Sequence, residues 1–558
     1  MKTQKSIHGK ADLRKYFIGA HPIIQTFMER LKIQEIIGSY FRHDVRLQLS
    51  IEQTLGVLIH NILTSPMPMY EIADWMDSID EESLGLSKSD KDLIHDDRIG
   101  KTLDCFYHGR HKDVFFRLAL RAIKEFELDC GRVHQDTTTI TFSGKYAKWT
   151  AREFMTYGKN KDHRPDLKQL VLGISAAEDG SVPLVHKVYS GNQTDDRVHV
   201  ENHQRLRKLL GRVDFIYTAD CKLATDDNLH KIASCGGLFV SVMPRSWKED
   251  KEFREEVRAG KVKWQLLLKR KNNRKPKKKR DRYYLAEGDY TAKGYTVYWI
   301  YSTQKAEQDI QTRTRHIDNA LEDLRKIQSK LNRYSLKTRN EIKIAIKKVL
   351  KQRQCENLVT YSIQTQREYR TSHNGRGRPK ASHAGKKVWK QIFSMTFEID
   401  KDALTREAAT DGVFPLITNV PHKKHGPKEI LEIYKHQAFL EKGHSKLKTW
   451  QDVTPVLLKK SERVVAFLHV HVLALTISSL VERQIRLAMK RNSIASLPIY
   501  PEVRPCPYPT MFDIVRLFRD VERYEIEENG KVTVFPAELD KMQKQVLKLL
   551  DVPVSLYH

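Results

Sequence analysis

Cysteine is scarce, with six residues in 558 (Cys105, Cys130, Cys221, Cys235, Cys355 and Cys506) and no C-x-x-C pair among them. That scatter excludes a disulfide framework and the paired spacing of a zinc ribbon, and it fits a reducing cytosol. The opening stretch MKTQKSIHGKADLRKYF has no apolar run behind its charges, so it does not read as a secretory signal. Long hydrophobic runs are lacking too, apart from Val464 to Val481, which is uncharged for 18 residues. That run contains His469, His471, Thr476, Ser478 and Ser479 and is barely long enough to span a bilayer, so a buried helix is expected. Acidic residues are also short, at 70 Asp and Glu against 98 Lys and Arg, a formal charge of +28.

An excess of that size points to a polyanionic partner, and nucleic acid is the usual one. The charge is localised. Residues 261–400 hold 35 Lys and Arg against 13 Asp and Glu, so they supply 22 of the 28 excess charges. Within them, nine of the twelve residues from Lys269 to Arg280 are basic. This run, with Lys277, Lys278 and Lys279 at its centre, suits a loop tracking phosphates rather than reading bases.

The length calls for several domains. To about residue 125 the pattern is helical, with Ile23, Ile24, Phe27 and Leu31 at helical spacing, then Ile51 to Leu63 and Val114 to Phe126. A small helical domain of this kind suits binding to a DNA end. After Gly131 the pattern changes to strands at Arg132–Phe142, Leu170–Ser175, Val182–Val188, Val213–Ala219 and Leu238–Val242. Helical stretches intervene at Asp196–Leu210 and Asp226–Ser234, which together describe a mixed α/β sheet. In the basic segment, strands are expected near Tyr283–Leu285, Tyr295–Tyr301 and Phe393–Ile399. Ile310, Ile317, Leu324 and Leu331 recur every seven residues, giving a helix against which Ile342–Leu350 can return as a hairpin. After Lys448 the chain again reads as mostly helical, with an irregular Pro-rich stretch from Pro498 to Pro509.

Phosphodiester transfer needs two divalent ions about 3.5–4 Å apart, and magnesium prefers hard carboxylate oxygens. Asp136 sits inside an apolar and hydroxylated strand, and Asp220 closes the apolar strand Phe215 to Ala219. Such aspartates are costly unless paired or liganded. Tyr434, Gln437, Glu441 and Lys448 follow at intervals of 3, 4 and 7, which display along one stripe of a helix.

These residues resemble the DDE transposases of bacterial insertion sequences, in the large group marked by Tyr-x2-Arg-x3-Glu-x6-Lys around the catalytic glutamate. Tyr434, Glu441 and Lys448 match, while Gln437 stands where arginine is expected. The run from Gly158 to Gln169, with Arg164 inside it, resembles the group's Ser-Lys-Asp-His-Arg-Pro-Asp-Leu-Lys-Gln segment, and Gly191-Asn192 with Asp195 resembles the motif that follows it. Cys221-Lys222 departs from the Asp-Arg-Gly run frequent at the second aspartate, and Lys222 replaces a guanidinium by a point charge.

The resemblance implies an RNase H-like α/β core, with Asp136 on its first strand, Asp220 after its fourth and Glu441 on a helix reached after an insertion. It implies Mg²⁺ (two ions, with Mn²⁺ able to substitute) at Asp136, Asp220 and Glu441. DNA backbone contacts are expected at Tyr434, Gln437, Lys448, Lys222 and Arg164. Gly375 to Lys380 resembles an AT-hook, whose Arg376 and Arg378 suit a narrow minor groove. Trp299 and Trp389 are candidates to stack on an extruded base. The expected domains are a helical 1–125, a catalytic core of 126–243 and 412–455, a basic β-plus-helical-hairpin insertion of 244–411, and a helical 456–558 suited to dimerisation. The implied activity is cut-and-paste DNA transposition by a homodimer, in the bacterial cytoplasm at the nucleoid. The alternatives are a transposase-derived DNA-binding protein that does not cleave, and a host nuclease of the same fold.

Overall fold

The computed structural model describes residues 12–41, 49–109, 111–142, 155–158, 164, 166–271, 280–333, 335–372, 386–451, 458, 460–528 and 531–557. The chain divides into two compact units, one made of residues 1–241 with 418–558 and the other of residues 242–417.

The first unit opens with a short strand, β1 (Asp12–Phe17), and its sheet follows as β2 (Arg132–Phe142), β3 (Lys168–Ala177), β4 (Pro183–Ser190), β5 (Ile216–Thr218) and β6 (Leu238–Val242). The strand order is β4-β3-β2-β5-β6. Neighbours are antiparallel from β4 to β2 and parallel from β2 to β6. Parallel neighbours need crossovers, and the helices His199–Leu210 and Asp226–Ser234 supply them. β2 is a strand because Thr137, Thr138, Thr139, Ile140 and Thr141 are β-branched and fit a pleated, enclosed surface. It is central: every residue is buried except Arg132, Asp136 and Thr141, which are half-buried.

The helix Ser461–Arg491 runs through the same unit. Its apolar stretch is long enough to cross a membrane, and 94% of an 18-residue window of it is buried inside the fold. Helices Ile51–Thr64 and Asp96–His108 and strand β4 pack on it. Two arginines bracket it: Arg463 grips Asp104 at 2.8 and 2.7 Å, and Arg483 grips Asp179 at 2.8 and 2.6 Å. Bidentate pairs of this kind fix geometry as well as energy.

The terminal regions are less purely helical than their periodicity suggests. β1 pairs antiparallel with Glu522–Glu528, which pairs in turn with Lys531–Phe535. Alternating charge explains the match, since Lys15 meets Glu522 at 2.8 Å and Arg14 meets Glu527 at 3.6 Å across the pair. A second short pair, Leu497–Tyr500 with Arg504–Cys506, lies in the Pro-rich stretch expected to be irregular.

The second unit contains β7 (Trp264–Lys271), β8 (Arg280–Ala286), β9 (Tyr290–Ala292), β10 (Tyr295–Ser302), β11 (Val359–Ser372), β12 (Lys386–Ile399) and β13 (Val413–Thr418). Helices Thr303–Ser329 and Arg339–Gln352 form the expected hairpin, and Ile317, Leu324, Ile342, Ile346 and Leu350 enclose a core with Phe393 and Met395. Ile310, the first member of the seven-residue seam, stays 49% exposed. Trp299 is core, buried and stacked on Phe253 with ring centroids 3.9 Å apart.

Candidate active site

Asp136 lies in the middle of β2, opposite Ile174 of β3. β2 and β5 pair in parallel from Arg132 with Ile216 to His134 with Thr218. That ladder runs at an offset of 84 residues, which is also the separation of Asp136 and Asp220. The two aspartates therefore leave neighbouring parallel strands at the same level, two residues past the last paired position. The Asp220 carboxylate accepts the backbone N–H of Lys222 at 3.0 Å, and its carbonyl accepts the Ser241 hydroxyl at 2.7 Å. Those bonds hold the turn after β5.

Glu441 comes from a segment that begins when the chain returns to the first unit. Thr418 donates to the Phe239 carbonyl at 2.6 Å, and Asn419 clasps β6 through the Phe239 N–H and the Gly237 carbonyl, each at 2.8 Å. The anchored turn leads into the helix Pro427–Thr449, which starts with proline, a residue suited to the first helical turn. The helix lies on β2 and β5. Ile433, Leu440 and Leu447 are buried along it at seven-residue spacing, while Glu441 is exposed.

Tyr434 connects two of the carboxylates electrostatically. Burial first, then the charges of Asp220, Cys221 and Glu441, push its phenol above the ordinary value. The phenol thus stays protonated beside the acidic groups and can donate a hydrogen bond. His444, one turn beyond Glu441, meets Asp136 with Nδ1 3.1 Å from Oδ2. Its Nε2 is buried without a hydrogen-bond partner among the described residues. His199 also faces this region; burial holds it down to about 4, against the opposing pull of Asp196 and Asp136. Nothing about His444 or His199 stands out in the sequence except that His444 falls three residues after Glu441.

Gln437, expected at the DNA backbone, is turned toward the sheet in this structure. Only 7% of it is exposed, and both ends of its amide bond to β2. Lys222 is exposed beside Asp220, and Lys448 is half-buried at the end of the helix. The guanidinium of Arg164 is engaged by Asp166 at 2.9 and 2.7 Å on the surface. Arg376, Arg378, Lys277, Lys278 and Lys279 lie outside the described residues.

Asp136, Asp220 and Glu441 offer the hard oxygen donors that magnesium takes. They stand on adjoining elements, but among the described residues no three His, Cys, Asp or Glu side chains are gathered tightly enough to hold an ion. In this arrangement His444 engages one of the Asp136 oxygens.

Residues 15–120 match a family model described as a domain of unknown function (DUF4277). The match covers the helical amino-terminal part and includes none of the three carboxylates. No curated protein matches the chain. Among solved structures, it is similar to one described as the cryo-EM structure of piggyBac transposase synaptic complex with hairpin DNA. That likeness has a TM-score of 0.38 at 7% identity and covers 91% of this chain and 81% of the other.

Proposed function

We propose that this chain is a DNA transposase of the insertion-sequence type, cutting transposon ends and joining them to target DNA from an RNase H-like core. The observation that supports this reading is the equal level of Asp136 on β2 and Asp220 just past β5, its parallel neighbour, with the helix bearing Glu441 packed on both strands. Asp136 is on the first strand of the sheet, Asp220 follows the fourth, and Glu441 comes after the 242–417 unit, as the sequence resemblance implies. The basic balance of residues 261–400 supports DNA as the partner.

In this reading the end phosphodiester is hydrolysed to free a 3′ hydroxyl, and that hydroxyl then displaces a phosphodiester of the target. Asp136, Asp220 and Glu441 would hold divalent ions, which when bound would supply Lewis-acid activation of the attacking oxygen and charge neutralisation at the leaving one. Asp136 and Asp220 hold the fixed side of the site, and Glu441 closes it from the helix. The neutral Tyr434 phenol donates to a phosphate oxygen, and Lys448 and Lys222 offer cations to the backbone. Two copies of the chain pair two ends.

The test is cleavage of an end-bearing duplex in Mg²⁺. Asp136→Ala is expected to lose activity about a thousandfold, the equivalent of several kcal/mol of transition-state stabilisation. Equal activity in wild type and variant would overturn the assignment. Strand transfer from a pre-cleaved end separates transposition from simple nuclease action.

A further inference from the structure

We propose that Gln437 is a positioning residue, which sets the register of the Glu441 helix on β2, and that Glu178 acts on it through His134. The proposal rests on the reading of Asp136, Asp220 and Glu441 given above. Gln437 Nε2 donates to the Gln135 carbonyl at 2.7 Å. A carbonyl only accepts, so the amide has one orientation and its Oε1 must face His134 Nδ1, 3.0 Å away. His134 therefore donates from Nδ1, and its Nε2 lies 3.2 Å from Glu178 Oε2. The other oxygen of Glu178 accepts Arg132 Nη1 at 3.0 Å. Glu178 directly follows β3, and its N–H bonds the Arg132 carbonyl at 2.9 Å, so both ends of this chain of contacts are tied to the sheet.

Register is the quantity at stake. Gln437 precedes Glu441 by one helical turn, and His444 follows it by nearly one, so the glutamate is suspended between two polar contacts to β2. The apolar contacts of Ile433, Leu440 and Leu447 hold the helix down but have no direction of their own. A one-residue slip moves the helix by about 1.5 Å and turns Glu441 by about 100°, away from the aspartates. Buried polar contacts are well suited to forbid such slips. Gln437 is only 7% exposed and its amide bonds to β2 at both ends, so it is turned to the sheet and not to a phosphate.

The experiment compares wild type, Gln437→Met, Glu178→Gln, the Gln437→Met/Glu178→Gln double variant and Asp136→Ala as full-length chains. It measures duplex affinity without metal, single-turnover cleavage across a Mg²⁺ titration, and thermal unfolding. Gln437→Met keeps the side-chain volume and removes both hydrogen bonds. It is expected to bind duplex within about twofold of wild type, to cleave about a hundredfold more slowly, and to need more Mg²⁺ for half-maximal rate. Glu178→Gln is expected to move the Mg²⁺ midpoint in the same direction by less, and the double variant to fall short of the summed effects. If Gln437→Met does not fold, the Mg²⁺ midpoint of Glu178→Gln decides. A midpoint unchanged in the folded variants overturns the proposal, as does a tenfold loss of duplex affinity in Gln437→Met. If Asp136→Ala cleaves like wild type, the underlying site reading fails. If Asp136→Ala is inactive and Gln437→Met behaves as wild type, only the positioning role fails.

Discussion

Two antiparallel strand pairs of similar length have opposite fates in this molecule. β2 and β3 lie inside the sheet of the first unit, with nearly every residue buried. β11 and β12 of the second unit pair over fourteen residues each, and only their base is enclosed, by Ile363, Phe393 and Met395. Beyond it, residues 364–369 and 388–391 are exposed on both faces. The contrast shows what polar side chains are for in each setting. On β2, His134 and the Gln135 carbonyl face a helix, so their bonds are spent on holding Gln437 in place. On the ribbon, Arg367 and Lys390 are exposed on a ladder that also presents Tyr369 and Trp389. A two-stranded ribbon is marginally stable alone, and among the described residues nothing encloses its exposed half.

Acid should break this comparison most strongly. Burial holds His21, His186 and His471 down to about 3 and His203 to about 4, and all four belong to the first unit. Their folded values lie below the unfolded value of about 6.5. The folded state is thus unaffected above that pH, and stability is lost as pH falls from about 6.5 toward the folded values. Each histidine costs about 1.4 kcal/mol per pH unit in that window. Hydrogen exchange between pH 7.5 and 5 should show β2 and β3 amides losing protection before those at Ile363 and Phe393. Equal loss in both units would remove the distinction. A smaller effect is expected from Ile174→Ala, opposite Asp136 and fully buried, at about 2–5 kcal/mol of unfolding free energy in denaturant. Val388→Ala on the ribbon, 39% exposed, should stay within about 0.5 kcal/mol.

Local pattern made much of this legible. Asp226–Ser234 and Leu238–Val242 are found where their periodicity puts them, because one buried face leaves a clear repeat. β5 is shorter than the apolar run around it: Phe215 to Ala219 are all buried, yet only Ile216–Thr218 joins the ladder, since burial and strand pairing are different constraints. What the sequence hides is non-local. β1 is a charged hexapeptide whose partner lies near the other end of the chain. Gln437 and His134 are 303 positions apart, and His444 and Asp136 are 308 apart. Spacing put Glu441 on a helical stripe, but it could not tell which side of the stripe faces the sheet. That is why Gln437 reads as a surface contact in the sequence and proves to be buried.

The ribbon gives the smallest expected effect on folding. Tyr369 and Trp389 are direct cross-strand partners with ring centroids 3.6 Å apart, and each is 56% exposed. A cross-strand aromatic pair contributes about 0.2–1 kcal/mol, so Trp389→Ala should leave the unfolding transition nearly in place. Aromatic side chains on an exposed basic strand are nevertheless suited to stack on bases, a contact worth about 1–3 kcal/mol each. Trp389→Ala is therefore expected to weaken binding to single-stranded or frayed DNA by about five- to a hundredfold, read by fluorescence anisotropy at fixed salt. Ile174→Ala, measured where it is still folded, should bind like wild type. If instead Trp389→Ala lowers stability by more than about 2 kcal/mol and leaves DNA affinity alone, the ribbon belongs with β2 and β3 as buried framework, and the two strand pairs do not differ in the way their exposure implies.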